Sequence, residues 1–380
     1  MKENIKYILI LLTILISIKI VYLLFAHIVN PEQTNISYSS YKELIFRNDS
    51  GWYKDIAEKG YPEIREKKLI GYSYKDEYHQ SAWAFFPAYP YTNRIIMKAF
   101  NTDYYDAAFI SSILFSGIAT ILLFLLSLYI LEDKKTAMYI SAFFLVFPFS
   151  YYLSMMYTEA LYICLVLGAF VSVKKNKKIL LALLLIPLIL VRPNGIIILI
   201  PLYLFYLEQN NIMFRWKIDF NKLLLRKNIL NSLYFLTAPL AFALFCYYQY
   251  LMTGYYNAFS IAQAGWYRTF MFPLFAFFRD GFFPTQFNSV YTIILIVLSI
   301  LSWKKLPISL NIFIWLNILL PLTSGSVTSM HRFSAFIFPL FIIWGKYLYQ
   351  TKLKYGILGV LFALQIFFFY FWVIADPLSF

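Results

Sequence analysis

The chain has 380 residues; 61% are hydrophobic, 21% aromatic and only 14% charged, with a formal net charge of +14. A soluble domain carries about 25% charged residues, and here the apolar residues come in runs near about 20 long, so the composition excludes an ordinary soluble fold and points to membrane-spanning helices. Nor does the positive charge mark a nucleic-acid binder, because Lys and Arg stand in short clusters between apolar runs, where they set topology and meet anionic lipid head groups.

The first apolar run, Tyr7 to Phe25, follows Met1-Lys2-Glu3-Asn4-Ile5-Lys6. It is too long for a signal-peptide core and no small-x-small cleavage site follows it, which predicts a retained first span. Eleven spans are expected in all, over 7–29, 104–131, 137–155, 158–173, 179–191, 195–207, 230–252, 288–303, 306–322, 333–350 and 355–375. The spans 179–191 and 195–207 are short enough to be tilted, broken or membrane-dipping. Cys164 and Cys246 both fall in apolar runs and suit inert packing; they build neither a disulfide framework nor a zinc site.

With the N-terminus inside and strict alternation, the inner segments hold 18 Lys and Arg. The short outer loops hold 4: Arg192, Arg268, Arg279 and Arg332. The bias predicts N-terminus in and C-terminus out. The motif-like segments then all fall on the outer side. The long 30–103 segment is expected to be an outer catalytic loop and the aromatic 253–287 segment, with Arg279-Asp280-Gly281, a second outer loop, within a single polytopic domain over 1–380. Ile56-Ala57-Glu58-Lys59 before Gly60 looks like a helix end stopped by Gly. The Phe- and Pro-rich 83–91 run and the amphipathic 93–100 stretch suggest elements lying on the membrane surface.

There is no Gly-rich phosphate loop, no dinucleotide fingerprint and no His/Cys metal cluster. An outward-facing transferase would use a donor already in the bilayer, such as a polyprenyl-phosphate sugar. Such a transfer needs a base for the acceptor hydroxyl, tolerance of positive charge on the sugar, and cations for the leaving phosphate. Asp49, flanked by Asn48 and Ser50 and then by Trp52 and Tyr53, suits the first. Arg192, His331 and Arg332 are the candidates for the third. Each has a plainer reading. Arg192-Pro193-Asn194-Gly195 is also a turn at a helix end. His331-Arg332 at the mouth of a span also suits contact with head groups. Glu159, opening a span, also suits the helix dipole. His79 has no partner in view and reads as a loop residue. Trp52, Phe86 and Tyr89 are candidates to line the sugar or prenyl path, and Glu159 and Asn194 to touch substrate. No metal and no cofactor is called for.

Five motifs carry a resemblance. Arg47-Asn48-Asp49-Ser50-Gly51-Trp52-Tyr53 with Ile56-Ala57 and Gly60-Tyr61, and then Gln80 to Ala84 leading into Phe85-Phe86-Pro87-Ala88-Tyr89-Pro90, resemble the first-loop motifs of the GPI mannosyltransferase II (PIG-V-type) family. Pro148-Phe149-Ser150 with Tyr157-Thr158-Glu159-Ala160-Leu161-Tyr162, Arg192-Pro193-Asn194-Gly195, and His331-Arg332-Phe333 with Phe338-Pro339 are similar to its later ones. The resemblance implies an all-α integral membrane fold, a multi-span bundle of the GT-C superfamily. It implies an inverting transfer of a sugar, typically mannose, from a polyprenyl- or dolichyl-phosphate donor, with Asp49 in the place of the family's first-loop acid. Asn48 departs from the Trp usual before that acid. The acceptor is not carried over: a glycan, a glycolipid and a protein stay open, beside membrane lipids as partners. A polytopic lipid or polysaccharide transporter, or flippase, explains the spans equally well. It predicts ionisable residues inside spans and a repeat between halves; the chain shows Lys19 within a span and no repeat.

Overall fold

The computed structural model describes residues 2–29, 38–74, 77–279 and 283–379, so that Asp280 and Gly281 of the second loop lie outside the described residues. The main helices in chain order are α1 (Lys2–Val29), α2 (Ser50–Lys59), α3 (Ala88–Phe100), α4 (Tyr104–Leu131), α5 (Lys134–Val146), α6 (Glu159–Lys174) and α7 (Lys178–Ile189). They continue as α8 (Leu199–Gln209), α9 (Thr237–Thr253), α10 (Phe283–Ser302), α11 (Ile308–Leu322), α12 (Phe338–Tyr349) and α13 (Lys354–Val373). Among the described residues β structure is confined to two small ladders, Tyr72–Tyr74 with Glu77–His79 and Met213–Phe214 with Lys217–Ile218.

Among the described residues, five helical stretches are long and apolar enough to cross a membrane: Asn4–Val29, Tyr104–Leu131, Arg226–Thr253, Pro284–Lys305 and Lys354–Val373. A helix rises about 1.5 Å per residue, so these cover the thickness of a hydrocarbon core. The other six predicted spans fall on shorter helices. The segment 137–155 forms a helix only to Val146, because Phe147 precedes Pro148 and takes an extended backbone (ψ 140°). A separate 3-10 turn, Ser150–Ser154, follows. The segment 195–207 opens as a 3-10 turn, Pro193–Ile198, and the segment 333–350 becomes regular helix only at Phe338-Pro339.

One helix sits at the centre. Nearly every residue of α6 is buried, against α4, α7 and α8. The face of α4 turned inward is made of small residues: Ser111, Ser112, Ser116, Ala119 and Thr120 are all buried. Small residues let apolar helices approach closely where lipid offers no hydrophobic drive for association. The hydroxyls of Ser112 and Thr120 bond back to the helix, to the Phe109 carbonyl at 2.9 Å and the Ser116 carbonyl at 2.8 Å. By contrast, α1 turns Leu9, Ile16 and Ile20 outward and Leu11, Leu15 and Ile18 inward.

The two long loops pack on each other at one end of the bundle. Gln80 donates to the Gly265 carbonyl at 3.2 Å. A Cβ at Gly265 would stand 2.2 Å from the His79 carbonyl oxygen, and one at Gly71 would stand 2.4 Å from the Ile261 carbonyl oxygen. Backbone meets backbone at both points, so no side chain can give way. Gly265→Ala is expected to lower stability by about 1–3 kcal/mol, as overpacking of a closed contact does. Thermal unfolding in detergent checks this; an unchanged melting temperature would mean that the two loops move apart freely.

Candidate functional site

Beneath the packed loops lies a cavity of about 450 Å³. Asp49 reaches it from the turn before α2. Asn48 there takes a left-handed backbone (φ 49°), which Asn tolerates better than most residues. The turn is tied at both sides: Ser50 donates to the Met156 carbonyl at 3.2 Å, and Arg47 donates to the carbonyls of Trp372 and of Val373, the latter at 3.0 Å. Arg94 of α3 donates to the Ile56 carbonyl at 3.0 Å and satisfies the far end of α2. The Asp49 side chain is 27% exposed and caps no helix.

A chain of charges runs back from Asp49. Its Oδ2 accepts from Arg332 at 2.8 Å. Arg332 Nε donates to Glu159 Oε1, also at 2.8 Å. Arg192 meets the same Glu159 oxygen from the other side, and its Nε donates to Thr158 Oγ1 at 2.6 Å. Glu159 is fully buried at the start of α6, so the helix dipole and two guanidiniums stabilise its charge together. The helix-dipole reading of Glu159 fits this position, while the expected contact with substrate does not, because Glu159 is not among the residues that line the cavity. Arg332 also lies 3.9 Å over the Tyr157 ring and Arg192 lies 5.0 Å from the Tyr162 ring centre. Burial alone would lower the Arg332 guanidinium, but Glu159 and Asp49 outweigh it and hold it above its ordinary value.

Arg192 is set by a tight turn. A Cβ at Gly195 would come within 2.4 Å of the Leu188 carbonyl, so Pro193-Asn194-Gly195 closes against the end of α7. Pro193, Asn194 and Phe86 line the cavity with Arg192.

Besides Glu159, three expected residues stand elsewhere. Tyr89 is buried behind Tyr53, whose ring it meets edge-on at 5.0 Å. Trp52 stacks on Phe85 at 5.9 Å and meets the edge of Trp266 at 6.0 Å, and those two rings, rather than Trp52, face the cavity. His331, expected at the donor phosphate, points away from the cavity. Its Nδ1 lies 2.6 Å from Asn288 Oδ1, and Asn288 Nδ2 donates to the Pro284 carbonyl at 2.9 Å, which fixes the amide and makes Nδ1 the donor. Nε2 lies 2.7 Å from the Tyr152 hydroxyl, whose oxygen is also bonded to the Ser379 carbonyl at 2.8 Å. Both ring nitrogens are used, so none is left for a ligand. Burial and the adjacent Arg332 charge push His331 down to about 3.

That shift has a sign. The unfolded chain takes up a proton on this imidazole near its ordinary value while the folded chain refuses it, so stability is present above the ordinary value and is lost as pH falls below it. As pH falls below 6.5 the unfolding free energy is expected to fall by about 1.4 kcal/mol per pH unit for this one group, read as a falling melting temperature. A His331→Gln variant with an equally steep acid limb would sink the assignment.

Sequence reasoning counted Arg268 only as an outer charge. In the structure it lines the cavity, stacks 5.3 Å from the Phe333 ring centre and donates to Gln263 Oε1 at 3.0 Å. No ion pair joins it to an acid among the described residues. Burial holds it below its ordinary value, and the Asp49 charge only partly compensates. Its one sequence signal is that it is one of two cations within an aromatic loop, the other being Arg279. Gln263 and Trp266 come from the same loop and were missed with it.

No family model matches this chain, and no curated protein matches it in sequence.

Proposed function

We propose that the protein is a membrane glycosyltransferase that moves a sugar, mannose first among the candidates, from a polyprenyl-phosphate donor to an acceptor hydroxyl, with inversion. The observation that carries this reading is convergence. Five separated motifs each contribute to the wall of one cavity: Asp49 and Tyr53, then Phe85 and Phe86, then Thr158, then Arg192 and Asn194, then Arg332 and Phe333. The charge balance supports the same class of donor. Asp49 and Glu159 offset Arg192 and Arg332, and Arg268 leaves one positive charge over. One surplus cation suits the single negative charge of a phosphodiester better than the several of a diphosphate.

In this reading Asp49 Oδ1, which no hydrogen bond engages among the described residues, takes the proton of the acceptor hydroxyl as its oxygen attacks the anomeric carbon. The bond from that carbon to the phosphate oxygen breaks, and the phosphate leaves with the electron pair. Arg268 meets it, with Arg192 and Arg332 behind. With eleven spans and the N-terminus inside, this end of the bundle faces outward, where a lipid-borne donor is at hand and nucleotide sugars are scarce.

The test is transfer from radiolabelled polyprenyl-phosphate mannose to a membrane extract by purified protein in lipid. Arg268→Gln is expected to raise the donor KM by about 10- to 100-fold, the worth of one charge-assisted hydrogen bond. If the wild type transfers none of several polyprenyl-phosphate sugars, the transporter reading takes over.

A further inference from the structure

A second, larger hollow lies away from the cavity. It is a groove of about 520 Å³ between α10 and α13, floored by α5 and α12, and its walls are almost wholly carbon. Three rings close its end toward the cavity: Phe149 and Phe368 stand 4.8 Å apart, and Phe287 and Phe368 stand 5.3 Å apart. Its wall on α10 runs from Phe287 to Leu298, which at 1.5 Å per residue is about 16 Å, close to one leaflet. At the far end stands Trp344, whose indole N–H is buried and meets no acceptor among the described residues.

Beside Trp344 lies Lys305, its ammonium 5.8 Å from the indole and 4.3 Å from the Tyr347 ring centre. Lys305 also lines a smaller hollow of about 200 Å³, together with Lys174 and Lys346. No ion pair joins any of these three lysines to an acid among the described residues. Lys174 instead donates to Gln209 at 2.8 Å.

We infer that this groove and the lysine hollow form one seat for an anionic glycerophospholipid. One acyl chain fills the groove, an ester carbonyl accepts from Trp344, and the phosphate head group sits among Lys174, Lys305 and Lys346. A void among membrane helices is filled by hydrocarbon, and the charge at its far end selects the sign of the head group. The occupant is not the sugar donor's prenyl chain. The three rings separate the groove from the cavity, and the groove's polar end faces the opposite end of α6, marked by Lys174, from the Asp49 end. The inference does not depend on the transferase reading.

Native mass spectrometry of the detergent-purified, delipidated protein tests it, with phosphatidylglycerol and phosphatidylcholine added back separately. Ile294 and Leu364 face the groove from α10 and α13 and are partly exposed, so a larger side chain there leaves the core intact. Ile294→Trp and Leu364→Trp are each expected to weaken both lipids by about tenfold, the worth of about two buried CH₂ groups. Lys305→Gln is expected to weaken phosphatidylglycerol alone, by about fivefold. Leu240→Trp, on the exposed face of α9, is expected to change neither. Equal retention in all variants, loss of both lipids in Lys305→Gln to the same degree, or a polyprenyl phosphate as the lipid that copurifies would each overturn the inference.

Discussion

Asp49→Asn is expected to lower sugar transfer by about 10²- to 10⁴-fold, the usual worth of a positioned general base, and to leave donor binding intact. The physical case rests on how little else the change disturbs. Asn has the shape of Asp and keeps an oxygen that can accept from Arg332, the contact now made at 2.8 Å. Asp49 caps no helix, and its turn is held by Arg47 and Ser50 through bonds that do not involve its side chain. The cavity becomes one unit more positive, so an anionic donor loses no attraction. Single-turnover transfer and donor binding, measured side by side in lipid, separate the outcomes. Full activity in the variant would remove Asp49 from the role of base. Loss of donor binding together with activity would make it a structural partner of Arg332 instead.

Glu159→Gln is expected to destabilise the fold by about 3–5 kcal/mol, because it removes the shared partner of two buried guanidiniums. Glu159 Oε1 is met by Arg192 and by Arg332, and neither arginine is more than 9% exposed. Without that charge, Asp49 alone would face both, and it touches only Arg332. Adding Arg192→Gln to the same chain is expected to restore part of the loss, since it removes the cation left unpaired; the double-mutant cycle reads the coupling. Denaturant unfolding in detergent or retained thermal stability is the measurement. A Glu159→Gln variant within about 0.5 kcal/mol of the wild type would show that the arginines find water or other partners and that the network is not buried in effect.

The helical course of the chain was legible because it is a local property. Apolar runs of membrane length and the Lys clusters that end them need no knowledge of neighbours, and Tyr104–Leu131 and Lys354–Val373 lie close to the runs that predict them. The shorter runs were less legible at their ends. The helix from Lys134 stops at Val146 where hydropathy continues, because Pro148 acts on backbone geometry and not on polarity. The acid at 49 and the arginines at 192 and 332 also stood out, being scarce charges beside aromatic and turn residues. What did not hold was the expected contact of His331, Trp52, Tyr89 and Glu159 with the cavity, and Arg268 was read only as a topology charge.

By itself, then, the chain determined a membrane-type, helical protein and a short set of charged residues fit for chemistry, because composition and run length act residue by residue. Which charge meets which was decided only in three dimensions. Asp49 and Arg332 are 283 positions apart, and Glu159 reaches both arginines because α6 starts where three loops end. His331 and Arg332 are adjacent in sequence yet face opposite ways, since successive residues of a helical turn point about 100° apart. One enters the Tyr152–Asn288 wall and the other the cavity. Arg268 gained its place from the packing of glycine-close backbones between the two loops, a fit that no spacing along the chain encodes.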